Sequence, residues 1–250
     1  MKFYDRYISG EDGRSVYNDI YDLGQEAFSA EYFDDIQSVL VETSNRVAFN
    51  LKIIFEELND IGYAFKTEFQ FNFERPLLKP LPNTDELLIK LDEAVADFGH
   101  IPHSLKIFYK IVGACNFGWD YEREPKMFWD CADPIQICSL DDVVSEVLNN
   151  DWKDYLNEVL EDDTSQFPYL ELAADYLHKD NISGGLPYAI QITKEQAIDS
   201  LLLNEPNETT FIDYLRICME NCGFSRITEP KHNNEYQEFF AKVKPRLKMI

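Results

Sequence analysis

Positive charge is what this chain has least of: 23 Lys and Arg stand against 46 Asp and Glu, a formal net charge of −23 over 250 residues. A surface with that balance repels phosphate backbones and anionic lipid heads. It argues against nucleic-acid and membrane binding and would steer a basic protein partner inward. Solubility alone would also account for it. Cysteine is scarce and odd in number, five residues with no Cys-x-x-Cys pair, which predicts buried free thiols in a reducing compartment and no disulfide framework. No apolar run approaches membrane-spanning length. Met1-Lys-Phe-Tyr-Asp-Arg6 has no apolar stretch after its first charge, so no signal peptide is expected. Together these absences predict a cytoplasmic protein.

Aromatics are plentiful, with 18 Phe and 14 Tyr, and 45% of the residues are hydrophobic, the composition of a packed globule. Residues 1–30 alternate aromatics with acids and read as a loosely structured lead-in. Phe33, Ile36, Leu40, Val47, Leu51, Ile54, Leu58 and Ile61 then recur in steps of three and four, Thr43 filling the one gap. This predicts a long amphipathic helix over 31–61, ended by Gly62. It could be a coiled-coil seam, but Val39, Ala48 and Phe55 widen the stripe and favour packing within the chain. Residues 64–73 alternate Phe with polar residues as a strand or extended arm would. The proline-rich stretch 75–82 reads as a connector. Asn83 is placed to cap the next helix, with Glu86 as its reciprocal partner.

A tight corner follows. Gly99 ends that helix, Pro102 opens another, and Leu105, Phe108, Tyr109 and Val112 recur at helical spacing before Gly113. Phe117, Trp119 and Tyr121 then read as a first strand. Asp133-Pro134 is a turn, 135–140 a short strand, and Tyr169–Asp175 with Tyr188–Ile192 a strand pair joined by a loop rich in turn formers. Asp199–Asn204 is another short strand, and Thr209 or Thr210 caps a helix that Gly223 ends. The fold class expected is α+β: a small, mostly antiparallel sheet flanked by helices, preceded by the long amphipathic helix.

The order helix, Gly-x-x-Pro-x-Ser-Leu-x-x-Phe-Tyr, Gly, aromatic strand resembles the SMI1/KNR4 (SUKH) superfamily. Asp133-Pro134, Tyr169-Leu-Glu-Leu-Ala-Ala-Asp175 and Tyr188-Ala-Ile-Gln-Ile192 continue the likeness over about residues 84 to 224. The resemblance implies a non-catalytic interaction module. Bacterial members look like immunity proteins that neutralise toxins, often nucleases, and a fungal relative is a scaffold-like regulator of cell-wall synthesis. Gly99, Pro102, Leu105, Phe108, Gly113, Trp119, Asp133, Pro134 and Asp175 match as fold markers only. The chain departs from the family pattern in an N-terminal extension, giving an expected division into 1–82 (extension packed on the body), 83–225 (SMI1/KNR4-like domain) and 226–250 (helical tail).

Residues 141–161 read as one helix, with Val144, Val147, Leu148, Trp152, Tyr155, Leu156 and Val159 inward. Asp142, Glu146, Asp151, Asp154, Glu158, Glu161, Asp162 and Asp163 form its outer face, opposed by Lys153 alone. A solvated face explains that row. The functional alternative is a docking surface for a basic partner, and Asp142, Glu146, Asp151, Asp154, Glu158, Asp162 and Asp163 are its candidate contacts. Asp97, His100 and His103 have ligand spacing, but Gly99 and Pro102 break the helix that would align them, so no metal or cofactor is expected. Cys218 and Cys222 lie one helical turn apart without a second ligand pair. Gly184-Gly185 is followed by a strand, where a phosphate loop needs a helix. His178, beside Asp175 and Asp180, is the best candidate base for an enzyme, although a turn histidine is the simpler account. The sequence thus predicts an immunity-type binding protein for a basic toxin. A regulatory scaffold that associates through 31–61 is the alternative, and a small hydrolase stands behind both.

Overall fold

The longest element forms where the apolar stripe is longest. In the computed structural model, which describes residues 2–66, 76–126, 129, 132–162, 166–226 and 234–250, α3 (Phe33–Asp60) buries Ile36, Leu40, Val47, Leu51, Ile54 and Leu58. Its partners are α1 (Phe3–Ile8), α5 (His103–Ile111), α9 (Phe211–Glu220) and α10 (Asn234–Val243), so the stripe is consumed within the chain. Thr43, the one polar residue in the stripe, accepts a hydrogen bond from the Tyr17 hydroxyl (2.8 Å) and donates to that of Tyr7 (2.9 Å). This satisfies three buried hydroxyls at once.

Residues 1–30 are not a loose lead-in. They form α1, α2 (Gly13–Asp22) and a 3-10 turn over Gly24–Phe28. Asp12 caps α2 by accepting from the Ser15 N–H at 3.2 Å, and Tyr7, Val16, Tyr17 and Ile20 are buried. The steps of three and four among these residues are the helical signal that the aromatic–acid alternation masks.

Among the described residues two three-stranded antiparallel sheets lie in the middle of the chain, in the orders β1-β2-β3 and β4-β5-β6. The first comprises β1 (Leu77–Leu78), β2 (Ala114–Asn116) and β3 (Gln136–Ile137). The second comprises β4 (Tyr169–Ala173), β5 (Tyr188–Gln191) and β6 (Leu202–Leu203). The proline-rich connector therefore contributes a strand, Leu77 pairing with Cys115 and Leu78 with Ala114. Of the arm expected at 64–73, Phe65 forms a bridge to Trp119, and 67–73 lie outside the described residues. α4 (Thr84–Val95) starts at Asn83, but that side chain makes no capping bond. Instead the Thr84 hydroxyl donates to the Leu81 carbonyl at 2.7 Å.

Gly99 has φ +139°, and a Cβ there would sit 2.3 Å from the Thr193 carbonyl oxygen. The next residue exchanges backbone hydrogen bonds with the same site: His100 N–H to Thr193 O, 2.8 Å, and Thr193 N–H to His100 O, 3.1 Å. The corner is thus pinned to the loop after β5, a contact only glycine permits.

The helix expected over 141–161 is two helices, α6 (Leu140–Val147) and α7 (Asn150–Asp162). Asn149 makes the break: its side-chain oxygen accepts from the Asp151 N–H at 3.2 Å, offering the chain a local alternative to helix continuation. Because the face rotates there, Leu148 and Tyr155 are 58% and 54% exposed instead of inward. A short α8 (Tyr176–Lys179) opens the loop between β4 and β5, and Thr210 caps α9.

Two carboxylates, the buried Asp133 and the partly buried Asp199, join distant segments. Asp133 accepts from Lys179 Nζ (2.6 Å), the Tyr188 hydroxyl (2.8 Å) and the Ser225 hydroxyl. Asp199 accepts from the Ser104 hydroxyl (2.6 Å), the Tyr21 hydroxyl (3.0 Å) and the Ile212 N–H (3.0 Å). The basic tail closes on α3, where Lys242 and Arg246 pair with the buried Glu57. Among the described residues no helix is long and apolar enough to cross a membrane.

Candidate functional site

α7 is built as an amphipathic helix should be. Trp152 and Leu156 are buried, Trp152 edge-on to Phe98 at 5.5 Å. Asp151, Asp154, Glu158, Glu161 and Asp162 are all exposed on the other side. Lys153, the cation of this helix, is bonded to Asp97 just past the end of α4. That bond holds the Asp97 carboxyl below the usual aspartate range.

Asp142 and Glu146 do not join that row. They belong to α6, on the far side of the break, and are partly buried. Ser139 Oγ lies 2.5 Å from both Asp141 and Asp142, and its single proton serves one of them at a time. Burial pushes the Asp142 carboxyl up, and the Ser139 bond partly opposes this. Burial first, then the charge of Glu171 on β4, pushes Glu146 up to about 7. Asp163 lies outside the described residues. Of the seven candidate contacts, four share an exposed face and two line a helix–strand seam. Glu171 and Asp97, which sequence reasoning missed, complete these two groups. Asp97 was considered only as a metal ligand, and Glu171 carried no signal beyond its place in a strand.

The remaining chemical candidates are dispersed. Asp97 faces Lys153, and His103 packs edge-on against Phe33 at 4.9 Å and Phe28 at 6.4 Å. His100 joins the bridge to Thr193 through its backbone. Burial lowers the His103 pKa. Cys115, Cys138, Cys218 and Cys222 are buried free thiols, each pushed up by burial, Cys222 to about 12. The loop candidate has more geometry: Asp175, 3% exposed, caps α8 and accepts from the Leu177 N–H at 2.9 Å. It is also bonded to Nδ1 of the half-exposed His178. Gly185 lies so close that a Cβ would come within 2.2 Å of this carboxylate. A pocket walled by Leu78, Leu81, Tyr109, Gly113 and Leu140 offers about 10 Å³, room for about one water.

No family model, curated protein or solved structure matches the chain.

Proposed function

We propose that the protein is a non-catalytic binding module of immunity type, which covers a basic toxin with the exposed carboxylates of α7. The observation that carries this reading is the row Asp151, Asp154, Glu158, Glu161 and Asp162, exposed together while the helix's own lysine is engaged elsewhere. Spaced carboxylates of this kind imitate a phosphate backbone. They accelerate encounter with a cationic surface and suppress partners of the wrong sign. The SMI1/KNR4-like motif order supports the same class. The scaffold alternative loses its association helix, because the stripe of α3 faces its own chain.

The test pairs the protein with a basic nuclease toxin domain and follows association kinetics. The rate is expected to fall about tenfold or more on raising salt, and Asp151→Lys, Asp154→Lys and Glu158→Lys together should weaken binding without altering the fold. Binding that ignores both salt and charge reversal would sink the reading. A second reading, a small hydrolase, has one observation in its favour: a buried Asp175 is bonded to Nδ1 of His178, whose side chain is half exposed, the pairing that orients a histidine base. A hydrolytic activity abolished by His178→Ala would favour it over the binding module.

A further inference from the structure

After α10 the chain is gripped by its backbone. Leu247 turns it into extended conformation (φ −80°, ψ 145°). Asn50, fully buried on α3, then engages Lys248 twice. Its side-chain nitrogen donates to the Lys248 carbonyl and its oxygen accepts from the Lys248 N–H, both at 2.8 Å. One turn earlier on α3, Arg46 Nη1 donates to the Met249 carbonyl at 3.0 Å. Arg216 on α9 continues the run, its Nε donating to the Ile250 oxygen at 2.9 Å. Gly13, at the start of α2, lies against the same oxygen, and a Cβ there would come within 2.9 Å of it. The side chains of this segment alternate as on a strand: Ile250 is buried, Met249 is 75% exposed, and Lys248 lies over the exposed ring of Phe49 at 4.6 Å.

Main-chain bonds of this kind are indifferent to sequence, while the buried alternate side chain selects. The groove therefore asks for a branched aliphatic residue where Ile250 sits and leaves the position before it free. Arg216 adds a second requirement. It is 3% exposed, and its Nη1 is engaged by Asp213. Its Nη2, on the same edge of the guanidinium as Nε, is buried with no hydrogen-bond partner among the described residues. A peptide carbonyl presents one oxygen to that edge, whereas a carboxylate presents two and matches both donors. We propose that the groove between α2, α3 and α9 is a docking site for an extended peptide ending in a branched aliphatic residue with a free carboxylate, and that residues 248–250 occupy it as an exchangeable plug. It is built from elements other than α7, so the inference stands apart from the toxin-binding reading.

The probe is the synthetic peptide Arg-Leu-Lys-Met-Ile, the sequence of residues 246–250, ending in a carboxylate or in an amide. It is titrated into the full chain carrying Lys248→Pro, a change that removes the N–H held by Asn50 and leaves the buried side chains intact. NMR signals of the Asn50 side-chain amide and the Arg216 Nε–H should move on adding the acid peptide. The amide peptide should bind about tenfold or more weakly, having lost the charged partner of Arg216. Ile250→Gly, which empties the aliphatic pocket by another route, should respond alike. No movement of either signal at millimolar acid peptide in both variants overturns the proposal, and so does equal affinity for acid and amide.

Discussion

Asp133 ties together residues that the chain keeps far apart. Its carboxylate and the Lys179 ammonium are both almost fully shielded from solvent, so each depends on the other. Removing one partner leaves a buried charge, and Asp133→Ala is expected to lower stability by about 3–5 kcal/mol in urea unfolding. Asp133→Ala with Lys179→Met should cost less than the sum of the singles, because the stranded ammonium is gone. The sequence offered Asp133-Pro134 as a turn, whereas Pro134 bridges to Phe224; the pairing was not legible, since Lys179 lies 46 residues later in a stretch that reads as loop. Gly99 was legible as a corner; its reason, the Thr193 carbonyl pressed against its Cα, was not. Gly99→Ala adds a Cβ to both a positive φ and a 2.3 Å clash. It should cost at least about 1–3 kcal/mol by the same assay.

Elements were readable where one pattern ran without interruption. α3 is the clear case, a stripe along a 28-residue helix with no Gly or Pro to break it. The opening failed because its short helices bury aromatics, whose alternation with acids imitates disorder, although Asp12 and the Val16–Tyr17–Ile20 spacing were there to see. Asp12→Ala should therefore destabilise by about 1 kcal/mol, as loss of an N-cap does, measured by thermal unfolding. The candidate face was half legible. Helical period predicted the outward carboxylates of α7, but carrying that period through Asn149 misplaced Asp142, Glu146, Leu148 and Tyr155. At the other end, α10 is clamped to α3 through Glu57. The Lys242 bond, and then that of Arg246, holds its carboxyl below the usual glutamate range. This support is present above the ordinary glutamate pKa and is lost as pH falls through the lowered one. Amide exchange in residues 234–243 should quicken below about pH 4, and Glu57→Gln should produce the same quickening at neutral pH.

Across the whole molecule, a net charge of −23 works against compaction, because like charges are held closer in the folded state than in the open chain. Added salt shortens the reach of that repulsion. Thermal stability should rise by several degrees between about 20 mM and about 500 mM sodium chloride, with an unchanged or falling midpoint contradicting the expectation. The charge was the bulk property most plainly written in the composition. Its placement, with the row on α7 open and the tail cations folded against Glu57, was not.

Asp199 finally bears on how such a chain is made. Its donors come from Tyr21 near the beginning, Ser104 near the middle and Ile212 toward the end. During synthesis the first helices can pack on α3 soon after they emerge, but Asp199 is made 178 residues after Tyr21 and gains its last donor only with Ile212. Closure of loops this long is slow. Tyr21 thus stays without this partner for much of translation, a period in which a holding chaperone would find a ready client.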